Sequence, residues 1–150
     1  MEPVGFALGV LGPLDQLIRI VKDLKARFKD MKDNRRLCEQ LEKGLEDTRA
    51  KIRTLHDSAG SLPDGLKEYL QDVQDEYKSA VDQLKSLEER VLASSSSKIS
   101  WLRAFRKAKE WREELEALVE CNKARYDRLM ILALSSQMQE MSVQGDRKST

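Results

Sequence analysis

The sequence predicts an all-α protein, an up-down four-helix bundle with room for a short extra brace helix before the last helix. Three observations carry this. Charged residues make up 35% of the 150 residues, above the roughly 25% of ordinary globular proteins. Gly is 7, Pro is 3 and aromatics are 5%, too few turn-formers for a sandwich or barrel, whose short strands need frequent turn signals. Apolar residues recur at steps of three and four along most of the chain, the period of an amphipathic helix. The length suits one domain with a substantial core.

The first dozen residues stand apart. Pro3 to Leu14 carries no charge and includes Gly5, Gly9, Gly12 and Pro13. It is too short and too interrupted for a transmembrane helix, which needs about 20 apolar residues. It lacks the basic region and cleavage site of a signal peptide. Gly5 and Gly9 have the small-xxx-small spacing that lets helices approach closely in lipid. Pro13 predicts a kink or the start of a second helical piece.

From Leu14 the pattern is amphipathic. Leu14, Leu17, Ile18, Val21, Leu24, Phe28 and Met31 form one stripe. The polar run 29–34 predicts a tight turn. The second helix carries Leu37, Leu41, Leu45, Thr48, Ile52 and Leu55 in near-heptad steps. It ends near His56, where a cation favours the helix dipole. Ser58 to Gly65 is the clearest loop. The third helix carries Leu66, Leu70, Val73, Tyr77, Val81, Leu84, Leu87 and Val91, and stops at the serine-rich linker 93–98. The last segment runs from Ile99 through Trp101, Phe105, Trp111, Leu115, Leu118, Asn122, Leu129 and Leu132. It reads as one long helix or a brace followed by a main helix. Residues 1–141 form the bundle, and 142–150 form a disordered tail.

Catalysis has little to draw on. His56 is the single histidine, and Cys38 and Cys121 lie too far apart for zinc spacing or a disulfide framework. Both thiols read as packed core groups, and free thiols suit a cytosolic chain. Neighbouring acids such as Glu88 and Glu89 point about 100° apart on a helix and make no acid/base dyad. No enzyme, metal or cofactor is expected. Asn122, at a core position, reads as a buried polar pin of register.

The formal net charge of +1 argues against nucleic acid as a partner, since that affinity needs uncompensated Lys and Arg. The charge is uneven, however. Residues 19–36 hold eight bases against three acids, and residues 98–112 hold six against one. Residues 64–91 hold eight acids against four bases. Basic clusters beside apolar and aromatic residues suit an anionic membrane, where each Lys or Arg contributes about 1 kcal/mol. Trp101 and Phe105 read either as core or as rings at headgroup level.

The opening Met-Glu-Pro-Val-Gly-Phe-Ala-Leu-Gly-Val-Leu-Gly resembles the start of fungal HeLo domains. The order of a basic hairpin, an amphipathic third helix, a serine linker and an aromatic-basic stretch resembles the N-terminal bundle of the mixed-lineage-kinase-domain-like pseudokinase. Residues 97–105 occupy that aromatic-basic position. The resemblance spans roughly residues 1–140. It implies a cell-death executioner of innate immunity, necroptosis-like, held inactive in the cytoplasm. Such a domain oligomerises on a signal, moves to the plasma membrane and permeabilises it. By position, the resemblance puts membrane insertion on Val4, Phe6, Leu8, Val10 and Leu11. It puts lipid-headgroup binding on Lys22, Lys25, Arg27, Lys29, Arg35 and Arg36, together with Lys98, Arg103 and Arg106. The implied partners are anionic phospholipids, further copies of the chain, and an upstream immune receptor or a C-terminal regulatory domain. Pro13 departs from a continuous spanning helix. The alternative is a helical protein-protein interaction module, such as a signalling adaptor or an immune-receptor coiled-coil domain, without direct membrane activity.

Overall fold

The computed structural model describes the backbone of residues 3–58, 64–95 and 101–149, and the side chains of 9–57, 64–94 and 103–135. Four helices follow in order: α1 (Pro3–Arg27), α2 (Lys32–Ser58), α3 (Asp64–Ser95) and α4 (Trp101–Ser149). They form a four-helix bundle. α1 packs on α2 and α3, and α4 packs on α2 and α3. Among the described residues α1 lies diagonal to α4, and α2 to α3. The side-chain pairs give the directions. Asp15–Arg49, Lys22–Glu46 and Lys25–Glu39 run antiparallel between α1 and α2. Asn34 meets Ala108 and Gly44 meets Asn122, so α2 and α4 are parallel. Gly9 meets Gln74, while Asp23, Ala26 and Arg27 share a groove with Val91, so α1 and α3 are parallel. The chain therefore runs up-down-up-down.

The predicted stripes are the core. Leu14, Leu17, Val21, Leu24 and Phe28 of the first stripe are buried against Leu41, Leu45, Leu70, Tyr77, Leu84, Leu87, Leu115 and Leu129. Each such side chain contributes about 1.5–3 kcal/mol when removed from water. Tyr77 fills the centre. Its hydroxyl has Thr48 as a side-chain partner, and the Arg125 guanidinium lies 5.2 Å from its ring centroid.

Four expectations are corrected. α1 is one helix across Pro13 rather than two pieces. Pro13 forgoes the bond to the Gly9 carbonyl, and Val10, Leu11, Leu14 and Leu17 on either side are all buried in the core. The first turn is shorter than 29–34, because α2 already begins at Lys32. Phe28 is the anchor there: it is 1% exposed, with its ring 6.1 Å from that of Trp111. The tail 142–149 continues α4 instead of ending it. It contains no proline, and most of its residues accept a helix once one is running. Finally, Cys121 is exposed whereas Cys38 is buried. Position 121 precedes the inward-facing Asn122, and a 100° step turns it to solvent.

Burial, aided by nearby Glu42, pushes the Cys38 thiol from 9.0 up to about 12. Its native form is therefore the neutral thiol. The unfolded chain ionises from about pH 9 and the native one only near pH 12, so this stabilisation is complete below pH 9 and is lost as the pH climbs to 12. Tyr77 is raised in the same direction by burial. Urea unfolding from pH 8 to 11 should show falling stability, with a shallower fall in Cys38→Ala. A thiol reagent at neutral pH should modify Cys121 in the folded protein and Cys38 only after unfolding.

Candidate functional site

The up-down topology decides where the charges go. α1 ends, α2 begins, α3 ends and α4 begins at the same end of the bundle. Three contacts fix this meeting point: Phe28 on Trp111, Asn34 Nδ2 donating to the Ala108 carbonyl at 3.2 Å, and Arg112 paired with Asp33 at 3.6 Å. Lys107 Nζ, donating to Ser94 Oγ at 3.1 Å, joins α3 to α4 there. Two basic segments about 80 positions apart in the chain thus share one end.

Of the headgroup candidates, Lys22, Arg27, Lys29, Arg36, Arg103 and Arg106 are exposed, and Lys25 and Arg35 are half-buried. Lys22 and Lys25 reach Glu46 and Glu39 at 3.9 Å, a separation too loose to hold a solvated pair firmly. Arg35 donates Nη1 to the Lys29 carbonyl at 3.3 Å, bracing the turn. Arg27, Lys29, Arg36 and Arg106 have no ion pair among the described residues. Lys22, Lys25, Lys29 and Arg35 line a groove of about 540 Å³ in which Glu42 is the one acid among the lining residues. A second groove of about 430 Å³ lies between the turn and α4 and includes Met31, Phe105, Lys109 and Arg112. Phe105 is 65% exposed at its edge, which answers whether this ring belongs to the core. Lys98 and the side chain of Trp101 lie outside the described residues.

The insertion candidates lie towards the other end. Val10 is 0% and Leu11 8% exposed; both are core residues of this state. The side chains of Val4, Phe6 and Leu8 are outside the described residues. From Val10 to Lys25 the helix rises about 22 Å, so the start of α1 and the basic end are separated along the bundle. Among the described residues no helix is long and apolar enough to cross a membrane.

α3 completes the polarity. Residues 64–76 hold five acids against one base, and residues 77–91 are balanced. The acidic excess therefore lies wholly in the half remote from the basic end. The helix dipoles do not supply this polarity, because two up and two down nearly cancel. It comes from side chains. Lys32, Lys109 and Arg112, counted in the basic segments but not among the headgroup candidates, join the basic end. Their charge was visible, but which other segment they face is set by topology.

No family model, curated protein or solved structure matches the chain.

Proposed function

We propose that this chain is a membrane-targeting, oligomerising executioner domain of the cell-death class. In this reading it docks on anionic lipid through its basic end and permeabilises the bilayer after α1 rearranges. The observation that carries the reading is the gathering of two separate basic segments, with the exposed Phe105, at one end of a nearly neutral molecule. Unpaired bases there attract anionic headgroups, and an exposed aromatic ring suits the interface between headgroup and acyl chain. Permeabilisation needs more than docking, since Val10 and Leu11 are buried in the core and lie far along α1 from the basic end. Release of α1 would expose their apolar area, at about 25 cal/mol per Å², unless lipid or another copy covers it. Several copies on one surface multiply weak lipid contacts.

The test is dye leakage from vesicles with and without anionic lipid. Leakage that needs anionic lipid and is lost on deleting residues 1–8 supports the reading. A deletion to residue 12 is unsuitable because it removes the core residues Val10 and Leu11. No leakage at any lipid composition, with full activity of the 1–8 deletion in cells, would sink it. Phe105→Ala should weaken vesicle binding about tenfold, roughly 1.4 kcal/mol, without lowering stability, as read by co-sedimentation and urea unfolding.

A second reading rests on a different surface. Ile131 and Leu134 are 54% and 55% exposed on one face of α4, as a partner-binding helix would show. It predicts self-association or a protein partner in the absence of lipid, measurable by analytical ultracentrifugation with Ile131→Glu as the control.

A further inference from the structure

α4 outruns its neighbour α2. Asn34 meets Ala108 and Gly44 meets Asn122, an offset that sets Ser58, the end of α2, level with residues 132–136 of α4. α4 then continues to Ser149, about 20 Å further. Charge falls away over the same stretch. Residues 129–145 hold a single charged residue, Glu140, in a chain that is 35% charged.

Two faces of α4 separate here. Leu129 and Ala133 are buried against the bundle, while Ile131 and Leu134 are 54% and 55% exposed on the opposite side. The sequence continues the exposed spacing. Ile131, Leu134, Met138 and Met141 follow at steps of three, four and three, the a and d positions of two heptads. The e and g positions beside them are Ser135, Gln137, Ser142 and Gln144. Charges at e and g normally select a partner of opposite pattern and reject a like one. Here there are none, so an identical helix meets no repulsion along the seam.

The positions just beyond the seam set its direction. In a parallel pair Asp127, the preceding d position, would face its own copy, and so would Lys148 at the other end. In an antiparallel pair Ile131 faces Met141 and Leu134 faces Met138, while Asp127 falls opposite Gly145 and Lys148 opposite Ala124. Both directions keep four apolar layers, but only the parallel one opposes like charges, which is unfavourable.

We propose that the projecting part of α4 pairs antiparallel with the same segment of a second copy, through Ile131, Leu134, Met138 and Met141. This rests on the second reading of that face, whose partner it names. A two-fold contact of this kind closes on itself as a dimer. Two heptads are short, so the pairing is weak and governed by concentration. The dimer carries its two basic ends at opposite poles, about 90 Å apart along the helix axis, so one flat bilayer meets only one of them.

Sedimentation equilibrium of the full chain in lipid-free buffer is the test. The parent should show a monomer–dimer equilibrium. Leu134→Glu should be monomeric with an unchanged Tm, since that side chain is more than half exposed. Mixing Leu134→Glu with Met138→Lys should recover the dimer, because these positions face each other only in the antiparallel pair. Recovery instead on mixing Leu134→Glu with Leu134→Lys would overturn the arrangement, and a dimer untouched by Leu134→Glu would overturn the seam. A parent that stays monomeric up to about 1 mM would overturn the pairing altogether. The second reading would then survive only through a foreign protein that binds the parent and not Leu134→Glu.

Discussion

Neutralising Arg27, Lys29, Arg36 and Arg106 together to glutamine should weaken binding to anionic vesicles about a thousandfold, as measured by co-sedimentation at low salt. Each base near such a surface contributes about 1 kcal/mol, so four remove about 4 kcal/mol. The fold should survive, because none of the four has an ion pair among the described residues. The control carries the same change in net charge elsewhere: Lys51, Arg53, Lys67 and Lys78, all outside the basic end. It should lose little, since screening confines these attractions to about 8 Å at physiological ionic strength. Equal losses in the two variants would show that total charge matters and orientation does not. Raising the salt should weaken the parent protein and leave the glutamine variant nearly unaffected.

Phe28→Ala should destabilise the bundle by about 3–5 kcal/mol, the usual cost of emptying a buried aromatic site. Phe28 is 1% exposed and meets Trp111 across the end where the α1–α2 turn joins α4. The loss should appear as a lower urea midpoint with an unchanged slope. This side chain also fixes the two basic segments to one another. Phe28→Leu, which keeps much of the volume, should cost less and hold the basic end together. A large stability loss for Phe28→Ala with undiminished vesicle binding would show that the two segments act separately.

The contact between α2 and α4 gives a third expectation. Gly44→Ala would normally gain about 1 kcal/mol of helix propensity. Here the new methyl meets Asn122 Nδ2 at 2.7 Å, and overpacking costs about 1–3 kcal/mol. The substitution should therefore destabilise the parent and stabilise Asn122→Ala. A double-mutant cycle by urea unfolding reads that change of sign.

Much of the fold was legible in the residues. The three- and four-step recurrence of Leu14 to Phe28, Leu37 to Leu55 and Leu66 to Val91 depends only on helix geometry, and these stripes became the core. The expected loop 58–65 and serine linker 93–98 fall largely outside the described residues, and at their edges α2 reaches Ser58 while α3 already begins at Asp64 and runs on to Ser95. Less was legible at the ends. Phe28 reads as one more stripe residue, yet it closes the turn because Trp111, more than 80 positions later, covers it. Cys121 and Asn122 are neighbours with opposite fates, and a single 100° step of helix phase, set by packing on α2, decides between them.

Charge shows the division most clearly. The sequence by itself determined four amphipathic helices, a net charge of +1, two basic segments and an acidic third helix, since these depend on local order alone. Only the tertiary structure decided that the basic segments meet at one end and that the acidic half of α3 lies towards the other. It also decided that Val10 and Leu11 are enclosed while Phe105 is exposed. The physical reason is that helix formation is local, whereas the assignment of each helix end to one pole follows from which apolar stripes pack together and in which direction. Composition sums charge over the chain; the fold separates it in space.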